Sequence, residues 1–332
     1  MRRPKSPGAA AHSVIRQCPK PQFLSRRIFM SHSPRVLPAD ARRIVAQGDL
    51  GYLEAARWHR GALWFSDMTR CKINRLFPGE PLEVVADVPG RPSGLGFGPD
   101  GAPMVVSIDD GRLLRVGSNE LEELADLAPV AFHPNDMAVD REGRAYIGPQ
   151  GYVFGTDPIG VGLIIRHPDG RIETGGKDLI FPNGIAISGN GRTLVVAESF
   201  RAPRTRLTAF TVTDDGALTD QRVFAEFRSP DTEAIDGIAI DSEGAVWAAF
   251  PWIGEFRRVR EGGEVTDVIR IDPDTATYPD GGTFAVDAVL GGPEMKTLYL
   301  LISDTSPTRL VNGMDATGRI EAIEVEVAGI RD

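Results

Sequence analysis

The chain has 332 residues, 42% hydrophobic and 25% charged, the balance of a folded protein with a sizeable core. Its net charge of −9 argues against a nucleic-acid partner, which needs a positive surface, and it has no run of about 18 apolar residues to span a bilayer. Two cysteines give neither a disulfide framework nor a zinc spacing, which fits a reducing compartment such as the cytoplasm.

Residues 1–39 hold eight basic residues and no acidic one, so the rest of the chain carries −17. This segment is expected to lie outside the fold, as a disordered basic tail or an over-extended start with Met30 as initiator. The folded domain is then 40–332.

From residue 50 onward one pattern recurs: a polar residue, an apolar alternation, a tight turn, then a second apolar run. The copies begin at Glu54 (EAARWHRGALWFSD, the loosest), Ser93 (SGLGFGPDGAPMVVS) and Asn135 (NDMAVDREGRAYIG). They continue at Asn183 (NGIAISGNGRTLVVAES), Asp236 (DGIAIDSEGAVWAAF) and Asp287 (DAVLGGPEMKTLYLL). Period-two alternation is the strand signature, and Asp/Ser-x-x-Gly is a hairpin turn. Two further strand-like runs follow each hairpin, as in Leu163–His167 and Gly170–Glu173. Four strands repeated every 40–50 residues or so predict an all-β, six-bladed β-propeller. The strand runs at Ala41–Ala46 and Arg319–Val327 are expected to share one blade and close the ring.

The first strand of each propeller blade lies nearest the central channel, so the six leading residues meet in one ring: Glu54, Ser93, Asn135, Asn183, Asp236 and Asp287. Every one offers oxygen, the donor set of a hard divalent cation. Glu54, Asn183 and Asp236 are the expected ligands of one ion, with calcium preferred and magnesium, manganese or zinc left open. Ser93, Asn135, Asp287 and His133 are assigned to the substrate side. His59 and His167 fall away from the ring.

These motifs, with PNDMAVDREGRAYIG, FPNGIAIS and IDGIAIDSEGAVWAAF in order from residue 50 to about 303, resemble the gluconolactonase and senescence-marker-protein (regucalcin-like) family. The resemblance implies a lactone-opening hydrolase whose metal ligands correspond to Glu54, Asn183 and Asp236, and whose substrate-side polar residue corresponds to Asn135. It also implies Asp236 as general base for attack by a metal-bound water. His133 stands where some of these lactonases carry an Arg, so the resemblance does not extend to a sugar-acid lactone. Asp287 adds a carboxylate where a small or sulfur residue is usual. Connections 149–162, 200–206 and 251–254 are expected on the ring's side, with Tyr152, Phe154 and Trp252 as an apolar lid. The expected partner is a small-molecule substrate, with no nucleic acid and no membrane; oligomeric state is left open. Alternatives on the same scaffold are an organophosphate or enol-ester hydrolase, an isomerase or cyclase, or a non-catalytic calcium- or ligand-binding protein.

Overall fold

The computed structural model describes residues 33–118, 120–151, 157–199, 205–227, 234–271, 282–306, 309–310 and 315–331. Nearly all of the regular structure is β-strand, in six sheets of antiparallel blades. The inner strands are Leu53–His59, Pro92–Phe97, Pro134–Val139, Pro182–Ile187, Ile238–Ile240 and Gly282–Gly291. Each packs against the inner strands of the blades before and after it, and the sixth returns to the first, so the ring is closed.

Local chemistry explains the hairpins. At Asp140–Gly143 the Asp140 carboxylate accepts from the Arg144 backbone N–H at 2.8 Å, and Gly143 takes φ +82° to bring the chain back. Asp241 repeats this with Ala245 N–H at 3.0 Å and Gly244 at φ +81°. These are the positions at which Asp and Gly lower the cost of a tight turn.

The alternation then decides the packing. In strand Val246–Phe250, Val246, Ala248 and Phe250 face the fourth blade while Trp247 and Ala249 face the sixth. Six apolar clusters result, one between each pair of successive blades. Both faces of every sheet are therefore buried, and the core is itself a ring around a polar channel.

The last blade is built from both ends of the fold. Arg43–Gln47 pairs antiparallel with Thr317–Glu324, outside Thr297–Thr305 and Gly282–Gly291. Among the described residues strand pairing starts before residue 40: Arg35–Val36 adds in parallel to the outer strand Val265–Arg270 of the fifth blade. Arg35 Nε donates to Asp267 Oδ1 at 2.7 Å, and Leu37 packs on the cluster between the fifth and sixth blades. A pair of residues carries no periodicity, so nothing in the sequence announced this strand. Residues 1–32 lie outside the described residues. In the sixth blade the inner strand starts at Gly282, well before Asp287.

Candidate functional site

Four of the inner strands carry a bulge where the ring residues sit: the register shifts between Glu54 and Arg57, Pro92 and Leu95, Pro134 and Met137, and Pro182 and Ile185. A bulge frees side chains from the pleat and re-aims them, here into the channel. Small neighbours let the strands converge. A Cβ on Gly184 would lie 2.5 Å from the Asp236 carbonyl oxygen, and one on Gly94 would lie 2.6 Å from the Met137 nitrogen. Three blades share a further device. Arg91, His133 and Phe181, each two residues before its ring residue, adopt left-handed φ of +61°, +48° and +47°. That conformation is costly for a side chain with a Cβ, and three blades repeat it at the same step before the ring.

The ring is a chain of hydrogen bonds. Ser93 Oγ donates to Asn135 Oδ1 at 2.8 Å, Asn135 Nδ2 to Asn183 Oδ1 at 3.0 Å, and Asn183 Nδ2 to Asp236 Oδ1 at 2.6 Å. Asn183 Nδ2 also donates to Ser199 Oγ at 3.1 Å, whose own hydroxyl is spent on the Ile235 carbonyl at 2.6 Å. Tyr52 donates its hydroxyl to Asp236 Oδ2 at 3.2 Å. All of these side chains are buried. Glu54 is buried beside them at 5% exposure, yet its carboxylate makes no hydrogen bond with a described residue.

The electrostatics follow from this crowding. Burial, then the nearby Asp236, Asp136 and Asp287, hold the Glu54 carboxyl well above the usual carboxylate range. Burial also pushes Asp236 up to about 7, with Asp136 adding to the shift and the bonds from Tyr52 and Asn183 opposing it. Tyr52 is raised well above its ordinary value by burial beside Asp236 and Glu54.

Asp287 is buried in the channel but does not join the ring. The sixth blade's bulge falls between Ala285 and Asp287, which sets Asp287 one step deeper. There it accepts from the Ala56 and Ala288 backbone N–H groups at 2.6 and 2.7 Å and lies 4.0 Å from Arg57 Nη1. Burial pushes it up to about 8, with Arg57 opposing and Asp136 adding to the shift. Arg57 also donates to Asp136 Oδ1 at 3.1 Å and to the Met137 carbonyl. Arg57, Asp136, Tyr52 and Ser199 are thus site residues that sequence reasoning missed. Asp136 alone had a signal: the residue after each other ring position is Gly or Ala.

His133 sits apart from the ring. Its ring stacks on Phe132 at 3.9 Å, and its Nδ1 lies 3.3 Å from Gln150 Oε1. Trp252 packs on a cluster of Tyr52, Phe284, Val286 and Ala316, an apolar shelf beside Asp236. Tyr152 and Phe154 lie outside the described residues.

The donor set suits a hard cation. Glu54 and Asp236 supply carboxylate oxygen, and Asn183, whose nitrogen turns to Asp236 and Ser199, offers the second lone pair of an Oδ1 that already accepts from Asn135. Two buried carboxyls close together, one without a hydrogen-bond donor, resist ionising together unless a cation balances their charge. Among the described residues no group of three or more His, Cys, Asp or Glu is placed to hold a metal, because the third donor here is an amide.

A family model described as the SMP-30/gluconolactonase/LRE-like region matches residues 53–303. Among solved structures, the calcium-binding protein regucalcin from Agrobacterium tumefaciens is 19% identical, with a TM-score of 0.71 covering 89% of this chain and 97% of that one. A luciferin-regenerating enzyme is 17% identical, with a TM-score of 0.69 over 87% and 97% of the two chains. A gluconolactonase from Xanthomonas campestris is 18% identical, with a TM-score of 0.64 over 84% and 88%. At these identities the likeness establishes the propeller fold.

Proposed function

The chain belongs to the SMP-30/gluconolactonase/LRE-like family, and from that premise we propose that it is a hydrolase that opens a lactone or related ester at the ring. One divalent cation, with calcium preferred, is held by Glu54, Asn183 and Asp236. The observation that carries this reading is the buried pair Glu54 and Asp236, whose charge no described cation beside them balances fully. Oxygen-only donors favour calcium over the softer transition metals. When bound, the cation supplies Lewis-acid polarisation of the ester carbonyl.

The chain's own residues do the rest. Asp236 takes the proton of the attacking water. Its two oxygens are fixed by Tyr52 and Asn183, which holds the carboxylate in place to accept that proton. Asn135 has its carbonyl spent on Ser93 and one N–H on Asn183, so its second N–H is free to orient a substrate oxygen. The shelf of Tyr52, Trp252 and Phe284 gives the substrate an apolar side to lie against. His133, held against Phe132 and Gln150, contacts the outer part of the substrate.

Among the described residues no helix is long and apolar enough to cross a membrane, and a cytoplasmic setting stays part of the proposal. The test is hydrolysis across a panel of γ- and δ-lactones by chelated protein, then by the same protein reloaded with calcium, magnesium, manganese or zinc. Turnover lost with the chelator and restored by one ion supports the reading. Tight cation binding with no ester opened anywhere in the panel refutes the hydrolase and leaves a binding protein.

A further inference from the structure

The channel has a second end. Opposite the ring, a cavity of about 650 Å³ opens among the blade turns, and none of the ring residues lines it. That volume falls in the range of small-molecule sites.

Its floor is Arg57, three residues beyond Glu54. At the same step on four other inner strands stand Gly96, Ala138, Ala186 and Ala239. On those four strands the tier is cleared of bulky side chains, and one guanidinium crosses it. From the first blade Arg57 reaches Asp136 and the Met137 carbonyl in the third, and lies 4.0 Å from Asp287 in the sixth. Held across the channel by Asp136 and the Met137 carbonyl, with Asp287 alongside, Arg57 works as a partition between the ring and the cavity.

Beyond the floor the wall is apolar: Phe97, Val139, Ile187 and Val289 line the cavity and are each only partly buried. From Ala186 to the turn at Gly189 is three residues along the chain, about 10 Å if extended at about 3.3 Å per residue, the length of a medium-chain acyl group. The mouth changes character again. Arg141, Arg144, Arg192 and Arg331 surround it, against Asp140, Glu142 and Asp214. Arg144 pairs with Asp140 at 2.6 Å and Arg192 with Asp214 at 2.7 Å, whereas Arg141 makes no hydrogen bond or ion pair with a described residue. An excess of arginine at this opening runs against a chain whose residues after 39 total −17.

We propose that this end of the channel is a second binding site, for a small organic anion with an extended apolar body. The apolar part fills the throat down to Arg57, and the carboxylate stays at the mouth with Arg141. Because Arg57 closes the floor, the occupant does not reach the ring, and the site is separate from the one proposed for hydrolysis.

Titration calorimetry of the full chain with octanoate, and with octylammonium as the cationic control, tests this. Octanoate binds saturably at one per chain and at least tenfold tighter than octylammonium. Ala239→Phe, which fills the throat, and Arg141→Glu, which reverses the mouth, each weaken octanoate at least tenfold, while Asp236→Asn leaves it unchanged. Arg141→Glu is at the surface and stands alone if Ala239→Phe fails to fold by circular dichroism. The proposal is overturned if octanoate does not saturate, if it binds no better than octylammonium, if the foldable variants leave it unchanged, or if Asp236→Asn removes it.

Discussion

Stripping the cation and raising the pH lowers the stability of this protein. In the unfolded chain the carboxyls of Asp236 and Asp287 lose their protons near the ordinary value of 3.8, whereas in the folded chain burial holds those protons until about pH 7 and about pH 8. Between these limits the native state binds more protons than the unfolded one, so stability falls as pH rises from about 4 to about 8 and is greatest at the acid end. A shift of about three units in one carboxyl is worth about 4 kcal/mol. The two shifts do not add, because both groups share the field of Asp136. For a chain of this size the loss reads as roughly 6 °C of melting temperature. A divalent cation supplies the missing positive charge without having to displace protons at high pH. It therefore raises the melting temperature more at pH 8 than at pH 5. Scanning calorimetry of metal-stripped protein at both pH values, with and without saturating calcium, checks this. An equal calcium effect at both pH values, or a larger one at pH 5, refutes the reasoning.

Asp236→Ala lowers lactone turnover by roughly 10²–10⁴-fold while the circular dichroism stays β-rich, and turnover within tenfold of the wild type removes Asp236 as the base. Gly237→Ala costs about 1–3 kcal/mol or more in urea denaturation, because its Cβ would stand 1.9 Å from Asp287 Oδ1 and 2.1 Å from Asp287 Cγ; an unchanged midpoint contradicts the close strand approach. Deleting residues 1–29 leaves the melting temperature unchanged, and deleting 1–38 lowers it by several degrees, since only the longer cut removes the Arg35–Val36 pairing and the Arg35–Asp267 bond.

The propeller could be read from the repeat because blade packing uses both faces of every strand, and that demand writes the same alternation into each unit. Glu54, Ser93, Asn135, Asn183 and Asp236 could be read for a related reason: symmetry-equivalent positions meet at the axis. Asp287 could not be placed, because its blade's bulge shifts the register by one step that the aligned motif hides. Arg57 and Asp136 belong to different blades, and only the width of a channel lined by Gly96, Ala138, Ala186 and Ala239 lets them touch. Tyr52 stands two residues before Glu54, where other blades carry Arg91, His133, Phe181 and Ala234, none with a hydroxyl, so no repeat marked it as a partner of Asp236. The backbone strain at Arg91, His133 and Phe181 is equally invisible in composition, since the left-handed positions hold no glycine.

The central claim is that a single divalent cation sits on Glu54, Asn183 and Asp236. The most direct test is a crystal structure of the protein with calcium, refined with anomalous data that locate the ion. The account predicts one calcium with a Glu54 carboxylate oxygen, Asn183 Oδ1 and an Asp236 carboxylate oxygen at about 2.3–2.6 Å. An ion bound elsewhere in the channel, or density at the ring that calcium does not change, contradicts it.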